Sequence, residues 1–390
     1  MCGIPGRLLV TASFLALLTS PSFGEAEQRV LLPFEPEDTI EDIRYKIDYN
    51  GYSFTVEESR VFNMSPEERV RFLSRRAPLQ PRRLAPVDDV GPLAEYLGRR
   101  LLPPGFDWRD YGGHSYIGDI RDQGDCGSCY SFGACAAAEG TYNFAMGLYD
   151  GSCADFSEAF VAFCLSDYYS GFDGCSGSDY DYEELDGLVD YGVCNESAFT
   201  YTDTEQPCQS SAWSAPRVQF LSWHRITCND VDAIKTAIMI YGVVDAAVYA
   251  GSAWSAYSGG VYQDTSTSCG SSPCYYTPTN HIIALVGWDD SPPEGGGGVW
   301  ILRNSWGESW GEDGYMRTRF TSARVSCEAC YLVLDPPAPT PTPTMTPTPV
   351  YTPITVPATI NFQPSGATVP QGCFRDSGED YLEARGYGWQ

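Results

Sequence analysis

Polar and apolar positions divide the chain into stretches of different period. Residues 8–18, LLVTASFLALL, form one short apolar run, preceded by Arg7 and followed by the small residues SPSFG up to Gly24. In SPEERVRFLSRR, Ser65 precedes a proline at the first helical position and Glu68 stands three residues after the serine, the reciprocal pattern of a capped helix start. The run CYSFGACAAAEGTYNFAMG (129–147) lacks proline and is rich in alanine and aromatics, which predicts a mostly buried helix whose first turn begins at Cys129. Two later runs, HIIALVGW (281–288) and VWILRNSW (299–306), are β-type. Helical patterns followed by strand patterns between 106 and about 335 predict an α+β domain of two unlike lobes. From 336 to 357, nine prolines and seven threonines in 22 positions leave too little apolar surface for a core, so an extended spacer is expected. The residues after it alternate as strands do, but are too few to fold alone.

Composition narrows the classes. Acidic residues outnumber basic ones 51 to 24, and the only lysines are Lys46 and Lys235, which argues against nucleic acid or an anionic membrane surface as partner. The apolar run near the N-terminus is too short to span a bilayer and has the layout of a secretory signal peptide over 1–24, against the alternative of a buried hydrophobic strand or helix. Export places the chain outside the cell, secreted or associated with a cell surface, in an oxidising compartment where cysteines pair. Residues 25–125 hold no cysteine, whereas thirteen lie between Cys126 and Cys330. If twelve of them pair, one thiol is left over for chemistry. Arginine pairs at 75–76, 82–83 and 99–100 read either as processing sites or as a solvated charged linker.

IRDQGDCGSCYSFGACA (120–136) sets Cys126 and Cys129 three positions apart, as nucleophile, metal ligand or half of a disulfide. A cysteine nucleophile acts as thiolate, so it needs an imidazolium partner and a helix N-terminus to lower its pKa from about 8.5. Histidine is scarce: His114 lies in a glycine-flanked loop, His224 sits beside Trp223, and His281 opens an apolar strand that would hold its ring rigidly. Each is more often structural than catalytic, and context favours His281. A third group must fix the imidazole tautomer, and Asn304 follows the second strand with Trp306 placed to keep water off an Asn304–His281 bond.

CGSCY fits the C-G-[SA]-C-[WY] signature around the nucleophile of papain-like enzymes, whose His and Asn lie about 130–150 residues downstream. Here His281 and Asn304 follow Cys129 by 152 and 175 positions, a distance that inserted loops would explain. With FDWRD (106–110), NHIIALVGW and LRNSWGESWGEDGYMR, the region from about Phe106 to about Asp335 resembles the papain-like cysteine peptidases in four separated motifs. The resemblance implies a two-lobed fold, with a helical left lobe, a β-barrel-like right lobe and a cleft between them that takes an extended peptide. It implies that Cys129 attacks the scissile carbonyl, that His281 holds and returns the proton, that Asn304 orients His281, and that Gln123 with the Cys129 N–H binds the oxyanion. It also implies disulfides from Cys126 to Cys175 and from Cys164 to Cys208, a substrate cleft lined near Gly177, Ser178 and Trp306, and no cofactor or metal. The chain departs from the family at Tyr130, where Trp is usual, and at Ser178, where a second glycine is usual; the family's propeptide helix motif is not visible in 25–100.

The resulting layout is a signal peptide (1–24), a propeptide that inhibits its own enzyme (25–100), a catalytic domain (101–335), a linker (336–357) and the start of a β-sandwich-like module (358–390) that offers contact with glycans or a cell surface. The expected activity is that of a secreted cysteine endopeptidase acting on peptides or proteins. Its rivals are a catalytically silent peptidase-like binding or scaffold protein, and a carbohydrate-binding protein working through the C-terminal module. CEAC (327–330) reads as a disulfide end rather than a zinc site, and Cys269 with Cys274 as a clip on a serine-rich loop. GSDYDYEELDG (177–187) lacks the spacing of a calcium loop and reads as a solvated acidic loop. NMS at 63 and NES at 195 are glycosylation sequons.

Overall fold

The computed structural model describes residues 30–73, 102–179, 182–269, 274 and 277–334, with the backbone of 359–362 and 373–376. The apolar run at 8–18, the three arginine pairs and the proline-rich spacer lie outside the described residues. The chain divides into two units between Pro339 and Thr340. In the second, Thr359–Phe362 and Cys373–Asp376 pair as parallel strands.

In the first unit, an N-terminal segment supplies α1 (Ile40–Asn50), β1 (Thr55–Val56) and α2 (Pro66–Leu73). Helix α1 starts at a capping box, with Asp42 N–H donating to Thr39 Oγ1 at 3.2 Å and Thr39 N–H donating to Asp42 Oδ2 at 3.0 Å, and it ends at Gly51, whose φ of 73° is left-handed. The expected box at α2 is present: Glu68 N–H donates to Ser65 Oγ at 3.2 Å and Ser65 N–H to Glu68 Oε2 at 2.9 Å. After β2 (Gly105–Asp107) the chain forms the long helix α3 (Cys129–Met146), then α4 (Glu158–Phe163) and α5 (Glu183–Asp190). The sheet elements follow: β3 (Ser222–Arg225), helix α6 (Val231–Tyr241), β4 (Val244–Val248), β5 (Tyr257–Gly259), β6 (Val261–Tyr262), β7 (His281–Asp289), β8 (Val299–Arg303), β9 (Tyr315–Arg319) and β10 (Glu328–Val333).

Two hydrophobic cores correspond to the two unlike lobes. One gathers α3, α4 and α5 around residues such as Phe160 and Leu188; the other packs α6 and the sheet around Trp288 and Trp300. The eight-stranded sheet runs β3-β10-β4-β7-β8-β9-β6, with β2 beside β7. The order ends at β3 and β6, which do not pair with each other among the described residues. Strand β7 is buried at eight of its nine positions, which is why it reads as an almost continuous apolar run. The N-terminal segment is stitched to the sheet lobe by β1, which pairs with β5, and by Phe54, Val56 and Phe72, which join the sheet core.

The cysteine count behaves differently from the expectation that all but one pair. Cys126–Cys175 and Cys164–Cys208 are bonded, but so are Cys228–Cys274 and Cys269–Cys327, while Cys129, Cys135, Cys153, Cys194 and Cys330 remain thiols. Cys269 and Cys274 therefore do not clip their own loop; each ties it to a different part of the sheet lobe. Of CEAC, only Cys327 ends a disulfide. Cys330 sits mid-strand on β10, opposite Arg225 on one side and Asp245 on the other, which leaves no cysteine in register with it. Cys135 is packed as a small hydrophobe within α3, and burial pushes its thiol well above the ordinary range, so it is inert.

One buried ion pair joins the lobes: Arg303 Nη1 lies 3.2 Å from Glu139 Oε2, with both side chains almost wholly buried, while Arg303 Nη2 donates to the Asp119 carbonyl. Glu139 Oε1 is itself satisfied by the Phe156 N–H at 2.9 Å. Removing the carboxylate strands a buried guanidinium. Glu139→Ala is expected to lower stability by about 3–5 kcal/mol in urea unfolding, and Glu139→Gln, which keeps an acceptor, by less.

Candidate active site

Helix α3 is buried along most of its length because it passes between the lobes, and two glycines let it approach its neighbours closely. A Cβ at Gly133 would lie 2.5 Å from Ile282 Cγ2 and 2.4 Å from Asp245 Oδ1; one at Gly140 would lie 2.1 Å from Val243 Cγ2. Gly133 is one turn along α3 from Cys129, on the same face, and Ile282 is next to His281. The close contact therefore sets a helix N-terminus bearing a thiol against a strand start bearing an imidazole.

The polar atoms around His281 can be assigned by elimination. Ser305 N–H can only donate, and it lies 2.8 Å from Asn304 Oδ1, so that atom is the amide oxygen. The same Oδ1 lies 2.8 Å from His281 Nε2, so Nε2 must carry the proton. The basic nitrogen is then Nδ1, which is buried and makes no hydrogen bond. Gln123 is fixed likewise. Its Nε2 donates to the Cys126 carbonyl at 3.0 Å, and its Oε1 accepts from Ser305 Oγ at 2.8 Å. Ser305 thus links the amide that orients the imidazole to the amide expected to bind an oxyanion. Trp306 covers this group, with its ring centroid 4.8 Å from that of His281.

The N-terminal segment closes the site. Gln123 Nε2 also donates to the Phe72 carbonyl at 3.3 Å, and Cys129 Sγ lies 3.8 Å from the Leu73 carbonyl oxygen. Phe72 and Leu73 are the last described residues of α2. Their carbonyl oxygens meet the site beside the N-terminus of α3. The Phe72 ring packs on Trp306 at a centroid distance of 5.6 Å. Sealed in this way, His281 is fully buried, and desolvation lowers its pKa to about 4 against the opposing hydrogen bond to Asn304.

The structure thus gathers Gln123, Cys129, His281, Asn304 and Trp306 in one place. Gly177 and Ser178 lie instead on a loop tied to this place by the Cys126–Cys175 disulfide; Gly177 has φ 95° and its carbonyl accepts from Asp173 N–H at 3.0 Å. His114 bonds to Asp150 at 2.9 Å and His224 stacks on Tyr331, both away from the site. Ser305 was not singled out from the sequence, although it lies within the RNSWG string. Arg303 and the terminal carbonyls of α2 were missed too, because nothing local marks a partner so distant in sequence.

The comparisons with known proteins bear on this region. The papain family cysteine protease model matches residues 102–333. Cysteine proteinase 2 of Entamoeba histolytica is 32% identical over 243 residues, covering 61% of this chain and 69% of that protein. The thiol protease aleurain of Arabidopsis thaliana is 31% identical over 235 residues, 59% of each chain. Among solved structures, digestive procathepsin L 3 of Tenebrio molitor larval midgut superposes with a TM-score of 0.60 at 26% identity, over 76% of this chain and 88% of that one. On a family match that spans well over half of its length, the chain belongs to the papain family of cysteine proteases.

Proposed function

We propose that this cysteine-type endopeptidase cleaves peptide bonds through Cys129, His281, Asn304 and Gln123, and that its N-terminal segment is an inhibitory propeptide. The observation that carries the reading is the fixed tautomer of His281: with Nε2–H committed to Asn304, only Nδ1 is left to accept the thiol proton. The thiolate attacks the scissile carbonyl carbon, and the carbonyl oxygen takes the negative charge between Gln123 Nε2 and the Cys129 N–H. The imidazolium gives its proton to the leaving amine. Water activated by the neutral ring then hydrolyses the thioester and frees Cys129. Asn304 acts by holding the ring, and Ser305 by holding both amides.

The segment at 25–100 fits an inhibitor because the Phe72 carbonyl occupies the very donor the oxyanion would use, while the Leu73 carbonyl takes the thiol as donor. The similar solved structure from Tenebrio molitor is named a procathepsin, a proform, which supports this reading. The layout that follows is export by 1–24, catalysis by 101–335, a spacer at 336–357 and a C-terminal module at 358–390 for glycan or surface contact. Among the described residues no helix is long and apolar enough to cross a membrane.

In hydrolysis of a denatured protein substrate by the processed enzyme, Cys129→Ala is expected to abolish activity, as thiol alkylation should. His281→Ala should lower kcat by about 10³-fold or more, and Gln123→Ala by about 10²–10³-fold. Full activity of Cys129→Ala sinks the mechanism, and an inactive wild type with a folded domain would favour the silent scaffold.

The closed form should also be pH-sensitive. His281 titrates near 4 when sealed and rises toward about 6.5 once the segment leaves. Opening therefore takes up a proton between those values, so the closed form is fully favoured above about 6.5 and loses stability as pH falls toward 4. In full-length Cys129→Ala, amide protection of α2, corrected for intrinsic exchange, should fall across that window. Adding His281→Gln should flatten the profile, and an unaltered profile contradicts this origin.

A further inference from the structure

The loop that carries Gln123 is strongly acidic. Asp122 and Asp125 flank it, and Asp203 stands so close that a Cβ at Gly124 would lie 2.6 Å from its Oδ2. In a chain with this surplus of acid, such a cluster by itself is an ordinary solvated face. Its occupant distinguishes it. Arg60, from the N-terminal segment, donates from Nη2 to Asp122 Oδ1 at 2.7 Å and from Nη1 to Asp125 Oδ1 at 3.0 Å, so one guanidinium spans two carboxylates. Its Cζ also lies 5.5 Å from the centre of the Phe72 ring, which rests on Trp306. The segment that fills the oxyanion donor therefore sets a cation beside it.

Asp122 is held in place independently of Arg60. Its Oδ1 accepts the Gly124 N–H at 2.9 Å, and its backbone bridges to Trp306. Gly124 takes a left-handed φ of 61°, which turns this N–H back onto the carboxylate. A carboxylate already oriented by the backbone loses little rotamer freedom when a cation arrives.

We propose that, once the N-terminal segment is released, Asp122 and Asp125 form a cation-accepting subsite that selects an arginine side chain of the substrate within three residues of the scissile bond. The inference rests on the peptidase reading, and Arg60 stands in the full chain for that substrate side chain. Arginine is preferred to lysine because two nitrogens reach two carboxylates, which a single ammonium does less well. The arginine pairs at 75–76, 82–83 and 99–100 give such a subsite targets within the chain itself. Both ion pairs are partly exposed, with Asp125 77% accessible, so the preference is modest.

The test uses the processed enzyme and matched fluorogenic peptides carrying Arg, Lys or Gln at each of three positions on either side of the cleaved bond. At one position kcat/KM for Arg should exceed that for Gln by about three- to tenfold, with Lys between. That ratio should shrink as salt rises from about 0.05 to about 1 M. It should fall to near one in Asp122→Asn/Asp125→Asn. The single Asp125→Asn, at an exposed side chain that bears little on folding, should show part of the loss. Equal cleavage of Arg and Gln peptides at all six positions, or a ratio that survives in both variants, overturns the subsite and leaves the peptidase reading standing. Failure to cut any peptide overturns both.

Discussion

Everything in the site depends on how closely α3 can approach the start of β7. Gly133 has no room for a side chain, because Ile282 and Asp245 already occupy the space a Cβ would need. The contact fixes two independent frames against each other. A helix supplies the thiol with its N-terminal partial charge, and a strand buried on both faces supplies the imidazole with rigidity. Neither element could deliver the pair alone. A larger residue at Gly133 would part the frames, and the cost would be the register of Cys129 against His281 as well as a clash.

The second constraint is polar and runs through the end of β8. Arg303, Asn304 and Ser305 are consecutive, yet they bind three different parts of the molecule: Glu139 on α3, His281 on β7 and Gln123 in the loop before α3. The buried ion pair of Arg303 clamps the strand end to the helix from one side, and Ser305 ties it to the loop on the other. Asn304 lies between them with its oxygen fixed by two donors. This buried environment perturbs acids nearby. Glu158 is pushed up to about 8, first by desolvation and then by the Glu139 charge, so it is largely protonated at neutral pH beside Arg121 and Arg303.

Much of this was legible in the sequence wherever a local pattern had a single physical solution. The proline-free run from Cys129 became one helix, the two apolar runs became adjacent strands with His281 and Asn304 at their ends, and the Ser65–Glu68 signature began a helix. What remained illegible depended on distance in the fold. Parity suggested six disulfides, but parity assumes that every cysteine meets another, and Cys330 faces Arg225 and Asp245 across the sheet. The clip between Cys269 and Cys274 was the short-range choice, and the sheet offered each of them a partner about fifty residues away in sequence. Ser305 was quoted within a motif but given no role, since its value lies in the amide it reaches 182 residues away.

The N-terminal segment covers the site through the carbonyls of two consecutive residues. Phe72 and Leu73 place their carbonyl oxygens toward Gln123 Nε2 and Cys129 Sγ. Each contact pairs a donor of the site with an acceptor of the N-terminal segment. These contacts also bury His281, which keeps it neutral. On the mechanism proposed above, covering the thiol, occupying Gln123 Nε2 and keeping His281 neutral are three consequences of one segment.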